Sequence, residues 1–158
     1  MGHVDFSQLV SSPLFIGLAK PEIEYLSSIF TRIQVPQGKT VFIENMPGES
    51  LYLIKQGTVQ ISQMLAEVDE QKLIALGAGD VFGEMAVIDG KNRFATARVI
   101  ENATLYSLKR NNFTSLTREN PRLGQQLTLN IVRIFSAKIR SAKKDYHTML
   151  AASIPHKR

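Results

Sequence analysis

Cysteine is absent from this 158-residue chain, and histidine is scarce and lies only near its ends. The lack of cysteine excludes disulfides, thiolate metal sites, thiol redox chemistry and a cysteine nucleophile. The three histidines are His3, His147 and His156, so neither a Ser-His-Asp arrangement nor a cluster of histidine metal ligands has a histidine available in the body of the chain. The sequence therefore predicts neither a metal centre nor an enzyme of these classes.

Further patterns that carry chemistry or targeting are missing. The first ten residues contain Asp5 but no Lys or Arg, which is unlike a signal peptide. No apolar run approaches the roughly 20 residues that span a bilayer. The glycines near position 80 form neither a dinucleotide nor a Walker fingerprint, and no acid–base pair stands out among Glu44, Glu49, Asp80, Glu84 and Asp89. We expect a cytoplasmic protein that is not an enzyme and does not bind a membrane.

The net charge of +5 is concentrated in one segment. Residues 133–158 hold seven basic residues and one acidic residue, a net of +6, which leaves −1 for residues 1–132. A basic excess suits an acidic partner such as nucleic acid, an anionic membrane or a phosphate ligand. Because the body of the chain is almost neutral, we expect a phosphate ligand there to be held by one well-placed arginine.

The hydrophobic period changes from helical to alternating and back along the chain. Helical spacings continue to about residue 30, and Pro21 suits a first helical turn. From there Ile33 and Val35 alternate with polar residues, and seven of the ten glycines lie between positions 38 and 90, where strands turn. This pattern predicts a mainly β fold with flanking helices, in the form of an antiparallel sandwich or a jelly roll.

The predicted organisation has four parts. An N-terminal helical segment occupies residues 1–30, the jelly roll 31–110, C-terminal helices 111–150 and a tail 151–158. Asn112 is predicted to cap a short helix that ends near Glu119. Asn120 and Pro121 then begin a longer helix that reaches about Leu150.

The longer helix carries an apolar seam whose residues step by three and four, as in a heptad repeat. The members of the seam are Val132, Phe135, Ile139, Ala142, Tyr146 and Met149. A parallel seam between two copies predicts a homodimer, and the alternative is that this face packs on the body of the same chain. We favour the dimer because the seam continues for several turns towards the chain end.

Residues 79–97, GDVFGEMAVIDGKNRFATA, have the features of an anion site. Gly83 allows backbone to approach a ligand closely, and a helical turn from Glu84 to Ile88 favours negative charge at its first amides. Arg93, nine residues after Glu84, suits bidentate phosphate binding. A carboxylate repels phosphate but accepts a hydrogen bond from a hydroxyl, so the pair fits a ribose phosphate.

This segment resembles the phosphate-binding cassette of cyclic nucleotide-binding domains, which occur in the catabolite activator protein, in kinase regulatory subunits and in cyclic-nucleotide-gated channels. The resemblance rests on FGEMA, on the step from Glu84 to Arg93 and on RFATA, at residues 82–97. PLFIGL, LYLIKQG and GAGDVFGE agree with it, so that it covers roughly residues 12–140. It implies an eight-stranded double-stranded β-helix, or jelly roll, between an N-terminal helical segment and C-terminal helices. It also implies a regulatory sensor that is controlled by a nucleotide.

The resemblance also implies roles for particular residues. Glu84 would accept the ribose 2′-hydroxyl, Arg93 would pair with the cyclic phosphate, and nearby backbone amides would cradle it. The helix after Pro121 would close over the base as a lid, with Arg133 or Ile134 as capping candidates. The full set of ligand-binding residues implied is Ile74, Leu76, Phe82, Gly83, Glu84, Met85, Ala86, Arg93, Phe94, Ala95 and Thr96.

Phe94 departs from the family pattern, which often has Ser, Thr or Ala at this place. A threonine hydroxyl here is associated with a preference for cGMP, so its loss leaves cAMP as the expected ligand. The Phe94 ring would point away from the pocket, stack on the base or narrow the site. If it fills the pocket, the chain would be an interaction module of the same fold that binds no ligand.

The expected mechanism is ligand-gated movement of the C-terminal helix, read by an effector protein that the sequence does not identify. We expect no cofactor other than the nucleotide ligand. The residues after Leu150 are too few for a helix-turn-helix, so we expect a stand-alone domain without direct DNA binding. The alternative is a fragment of a transcription regulator that lacks its DNA-binding domain.

Overall fold

The computed structural model describes residues 2–153, without the side chains of Met149 and Ser153. Residues 154–158 of the predicted tail lie outside the described part of the chain. The elements begin with a 3-10 helix, Pro13–Phe15, and α1, Lys20–Ile29. Six strands and a short helix follow: β1 Thr31–Val35, β2 Thr40–Phe42, β3 Ser50–Ala66, β4 Asp69–Leu76, β5 Val81–Phe82, α2 Glu84–Asp89 and β6 Thr96–Lys109. The last two elements are α3, Arg110–Glu119, and α4, Pro121–Ser153.

β3 and β6 form the central antiparallel ribbon of the sheet, from Ser50 opposite Lys109 to Ser62 opposite Thr96. β5 and β4 pair with successive parts of β3, while β2 and β1 pair with successive parts of β6. The mainly β fold with flanking helices is confirmed.

The described part of the chain has six strands where eight were expected. Besides pairing with each other, β3 continues without interruption from its pairing with β5 to its pairing with β4, and β6 from its pairing with β2 to its pairing with β1. The ribbon bends where its register shifts, between Ile54 and Val59. Gly57 lies in this bend with φ +93°, and a Cβ there would come within 2.4 Å of the carbonyl oxygen of Asn102. Only glycine permits both this φ and this close approach. One bent strand therefore serves where the turn signals predicted two strands.

The core is divided between two hydrophobic clusters. The first lies between the sheet and the helices, where Phe6 contacts the rings of Phe15, Phe30 and Tyr106. The second lies inside the roll and is built from β3, β4, β5 and β6, with Val59 and Leu105 fully buried. The helices thus cover one part of the sheet, and the roll buries the other against itself.

Asn120 begins α4 as predicted, because its Oδ1 accepts a hydrogen bond from the backbone N–H of Leu123 at 3.2 Å. The prediction that Asn112 caps α3 is wrong. α3 begins at Arg110, directly after β6, and the Asn112 side chain instead donates to the carbonyl oxygen of Ile29 at 3.3 Å. The sequence pattern did not reveal this long-range acceptor.

The first half of α4 is fastened to the body of the domain. Its inward stripe belongs to the first core cluster and consists of Leu123, Leu127, Ile131 and Ile134. Between these residues the fully buried Asn130 donates through Nδ2 to the carbonyl oxygens of Leu14, at 2.9 Å, and Ile16, at 2.8 Å. These bonds satisfy two carbonyls at the end of the 3-10 helix.

The heptad seam lies on a different face of α4. Val132, Ile139 and Tyr146 are each more than half exposed, Ala142 is exposed and Phe135 is half-buried. The side chain of Met149 lies outside the described residues. Val132, Ile139, Ala142 and Tyr146 therefore do not pack on the body of their own chain, which was the alternative to a dimer contact. Among residues 2–153, no helix combines the length and hydropathy needed to cross a membrane.

We predict that Asn130→Ala destabilises the domain by about 1–3 kcal/mol, because it removes the side-chain donor to the buried carbonyl oxygen of Leu14, while the carbonyl oxygen of Ile16 keeps a hydrogen bond from Nε2 of Gln126. Urea unfolding followed by circular dichroism measures this free energy. Gln125→Ala, at an exposed position on the same helix, is the control and should change stability by no more than about 0.5 kcal/mol. Equal stability of the two variants would show that Asn130 does not fasten α4.

Candidate functional site

The site is built around the turn from β5 into α2. Gly83 caps the N-terminus of α2 in the left-handed conformation, with φ +74°. A Cβ at Gly83 would come within 2.8 Å of Nη1 of Arg93 and 3.0 Å of the carbonyl oxygen of Ser50. Glycine is required here for its φ and for the close approach of the guanidinium.

Arg93 is buried, with 5% of its surface exposed. Its Nη1 donates to the carbonyl oxygen of Gly83 at 3.2 Å, and its Cζ lies 4.0 Å from the ring centroid of Phe42. The ring of Tyr52 is 5.8 Å away. Stacking on an aromatic face is a favourable environment for a guanidinium, but it does not use the N–H donors.

The Nε donor of Arg93 is buried and makes no hydrogen bond within the described part of the chain. Burial also lowers the pKa of the Arg93 guanidinium from its ordinary value, while the charges of Tyr52 and Glu84 act in the opposite direction. A buried donor without an acceptor is costly, so this atom points to an acceptor that the protein does not supply.

The backbone of Arg93 is held by the turn that follows β2. The N–H of Arg93 donates to the carbonyl oxygen of Met46, and the N–H of Asn45 donates to the carbonyl oxygen of Arg93, both at 2.8 Å. Asn45 has φ +68°, a conformation that asparagine tolerates better than most residues. Gly48 then leaves room for the arginine stem, since a Cβ there would lie 2.6 Å from Nε.

Glu84 is the first residue of α2 and is 4% exposed. Its Oε1 accepts a hydrogen bond from Nζ of Lys138 on α4 at 2.9 Å. The same ammonium group donates to the carbonyl oxygen of Val81 at 2.5 Å. One cation from the C-terminal helix therefore bridges β5 and α2, on either side of Gly83.

A row of apolar side chains crosses three strands near this turn. Ile61 on β3 is opposite Ile74 on β4 and Ala97 on β6. The next row of the same face has Val59 opposite Leu76 and Val99. Of the two predicted contacts on β4, Ile74 is partly exposed, while Leu76 is buried in the second core cluster.

The other predicted site residues are distributed over different surroundings. The Phe82 ring stacks on Tyr52, with centroids 5.1 Å apart, and belongs to the second core cluster. Ala86 and Ala95 are buried, Met85 is half-buried and Thr96 accepts a hydrogen bond from the N–H of Glu44 at 3.0 Å. Phe94 is 58% exposed, so its ring does not fill the interior of the site.

The two predicted lid residues lie in different surroundings. Arg133 is exposed, and Ile134 is buried in the first core cluster, which also holds Val87 of α2. Lys138 of α4 makes a hydrogen bond to the cassette, and the sequence reasoning missed it. A signal was present, because Lys138 follows Ile131 and Ile134 on the inward stripe at steps of seven and four residues. A charged residue in line with a buried stripe indicates a partner on the body.

Within residues 2–153, no group of three or more His, Asp or Glu residues is placed to hold a metal ion. The site that the described residues form is therefore one of a buried arginine, a buried carboxylate and an apolar wall. Its chemistry is recognition of a ligand with an anionic group and hydroxyls beside an apolar surface.

Comparison with known proteins agrees with this chemistry. A family model described as "cyclic nucleotide-binding domain" matches residues 32–120. The cyclic AMP receptor protein of Thermus thermophilus is 36% identical over 77% of this chain and 56% of its own length. The chain thus spans little more than half of that relative.

Solved structures show the same fold. The crystal structure of the Thermus thermophilus catabolite activator protein is 33% identical, with a TM-score of 0.76 over 87% of this chain and 63% of that one. A cyclic nucleotide-binding domain from Methylobacillus flagellatus has a TM-score of 0.83 over 97% of this chain and 86% of its own, at 24% identity. This second similarity supports the fold alone.

We predict that Gly48→Ala destabilises the domain by about 1–3 kcal/mol, because the new methyl group would overlap the Arg93 side chain and Ala86. Urea unfolding measures the change. Gly77→Ala is the matched control, since no atom lies within 4 Å of a Cβ there and its φ is not positive. If Gly48→Ala and Gly77→Ala have the same stability, Arg93 does not pack against Gly48.

Proposed function

The chain belongs to the cyclic nucleotide-binding domain family, and we propose that it is a sensor that binds cAMP at the turn around Gly83. The observation that carries the proposal is the buried Arg93 guanidinium with its unpartnered Nε. A cyclic phosphate supplies the missing acceptor oxygens and one negative charge beside Gly83. Arginine presents its donors as a planar fork that matches two phosphate oxygens.

Glu84 gives the site its second polar contact. In this proposal its carboxylate accepts a hydrogen bond from the ribose 2′-hydroxyl, a group that the cyclic phosphate ester leaves free. The first amides of α2 and the backbone near Ala95 complete the phosphate cradle. Ile74, which is opposite Ile61, and Leu76, which is opposite Val59 in the next row, contact the ribose and base in the same proposal.

Phe94 bears on the choice of ligand. Its ring cannot donate the hydroxyl hydrogen bond that is associated with guanine, which favours cAMP over cGMP. Its exposure weighs against the alternative that the ring fills the pocket of a module without a ligand. The name of the Thermus relative, a cyclic AMP receptor protein, points to the same nucleotide.

We propose that nucleotide binding changes the position of α4 relative to the cassette. The first half of this helix is fastened by Asn130 and its inward stripe, and Lys138 joins the next turn to the cassette. A ligand that draws in the cassette acts on this contact and shifts the population of α4 positions. The movement changes the surface that an effector protein or a second copy recognises.

The division at residues 30, 110 and 150 and the cytoplasmic location rest on the sequence alone and stay predictions. The role of the domain as a non-catalytic regulator rests on its family. We propose a homodimer through the exposed seam of α4, which offers apolar side chains at heptad spacing.

We predict that Arg93→Ala weakens cAMP binding by about 100-fold, because it removes a charged phosphate contact from a buried site. Isothermal titration calorimetry with cAMP and cGMP measures the affinities. Arg98→Ala, an exposed arginine paired with Glu70, is the control and should bind as the wild type does. A wild type that binds neither nucleotide, or an Arg93→Ala variant with unchanged affinity, would refute the proposed site.

We predict that Ile139→Asp dissociates the dimer, because it places a carboxylate in the middle of the apolar seam. Sedimentation velocity should find the wild type as a dimer and this variant as a monomer. Ser141→Asp introduces the same carboxylate at an exposed position off the seam and should remain dimeric. A monomeric wild type, or dissociation of both variants alike, contradicts the seam as the interface.

A further inference from the structure

Glu84 presents an electrostatic problem for a phosphate site. Its carboxylate is buried at the first residue of α2, and the neighbouring Arg93 is coupled to it electrically. A buried anion is screened little by solvent, so it repels a phosphate that arrives at Arg93. The benefit of a hydroxyl acceptor is then offset by the cost of a second negative charge.

The structure places a cation against this anion. Nζ of Lys138 donates to Oε1 of Glu84, and the lysine side chain is only 25% exposed. Nζ also donates to the carbonyl oxygen of Val81, so that the ammonium group is bonded to one residue before Gly83 and one residue after it. Oε2 of Glu84 is not used in this contact and remains an acceptor for a ligand hydroxyl.

Lys138 differs in this respect from the other basic residues of α4. Those with described side chains are all exposed, namely Arg122, Arg133, Arg140, Lys143 and Lys144. Lys138 alone among them follows the inward stripe of the helix, one turn after Ile134. Residues 139–148, which come next, are all exposed. The lysine therefore occupies the point at which α4 leaves the body of the domain.

We propose that Lys138 is a positioning residue of the nucleotide site, which neutralises Glu84 and ties α4 to the cassette through the same contact. The inference rests on the proposed function. With Lys138, the three charged side chains of the site sum to +1, which matches the single negative charge of a cyclic phosphate. Without it they sum to zero, and the phosphate meets an uncompensated carboxylate.

A double-mutant cycle tests this role, with cAMP affinity measured by calorimetry. We expect Lys138→Met, which keeps most of the aliphatic stem, to weaken binding about tenfold. In the Glu84→Gln background the same change should cost less than about twofold, because no carboxylate remains to be neutralised. Lys138→Arg keeps the positive charge and should recover most of the wild-type affinity.

Lys144→Met is the matched control, since it removes the same charge from an exposed position on the same helix. It should bind cAMP within about twofold of the wild type. If Lys138→Met binds as tightly as the wild type, or loses as much affinity with Glu84→Gln as without it, the proposal is overturned.

Hydrogen exchange without ligand separates this proposal from the proposed function. The reporter is the end of α2, where the N–H of Gly90 donates to the carbonyl oxygen of Ala86. Lys138→Met should speed exchange in residues 81–92, and Lys144→Met should not. Unchanged exchange overturns the tie between α4 and the cassette. Faster exchange in a protein that binds no cyclic nucleotide supports the tie while refuting the proposed ligand.

Discussion

A guanidinium buried inside a β roll is the constraint that the surrounding structure satisfies. Arg93 lies against the ring of Phe42, and its charge is removed from water. Burial of a charge is unfavourable unless nearby groups compensate for it, and each neighbour of Arg93 contributes to that compensation. Gly48 and Gly83 give the space, and the carbonyl of Gly83 accepts one hydrogen bond. The buried Nε, which has no hydrogen-bond partner among residues 2–153, favours an anionic ligand at the site.

Three charged side chains connect the buried guanidinium to the C-terminal helix. Arg93 is coupled to Glu84, and Glu84 is bonded to Lys138 on α4. The helix is also held by Asn130 and by its apolar inward stripe, which lie closer to its start. The first half of α4 is therefore part of the body, and Lys138 adds a polar contact between this helix and the cassette. Polar contacts of this kind respond to a ligand more readily than a packed core does, which suits a sensor.

The basic excess of the chain has two different roles. Most basic residues of α4 are exposed and stand beside the apolar seam, where they affect solubility and the choice of partner. Lys138 is turned inward and belongs to the site. Net charge by itself did not distinguish these roles, because it counts residues without regard to the face of the helix on which they lie.

The sequence by itself determined the fold class and the start of α4, and it indicated the segment in which the nucleotide site is proposed. Each of these depends on local patterns: alternation and glycine turns for the strands, FGEMA and RFATA for the cassette, and Asn120 followed by Pro121 for the helix. Tertiary structure decided the strand count, the acceptor of Asn112, the outward position of Phe94 and the contact of Lys138 with Glu84. These features join residues far apart in the chain, such as Glu84 and Lys138, whose positions are 54 residues apart. Local propensity cannot encode such distances, because the energy that fixes them arises only when the helix packs on the completed sheet.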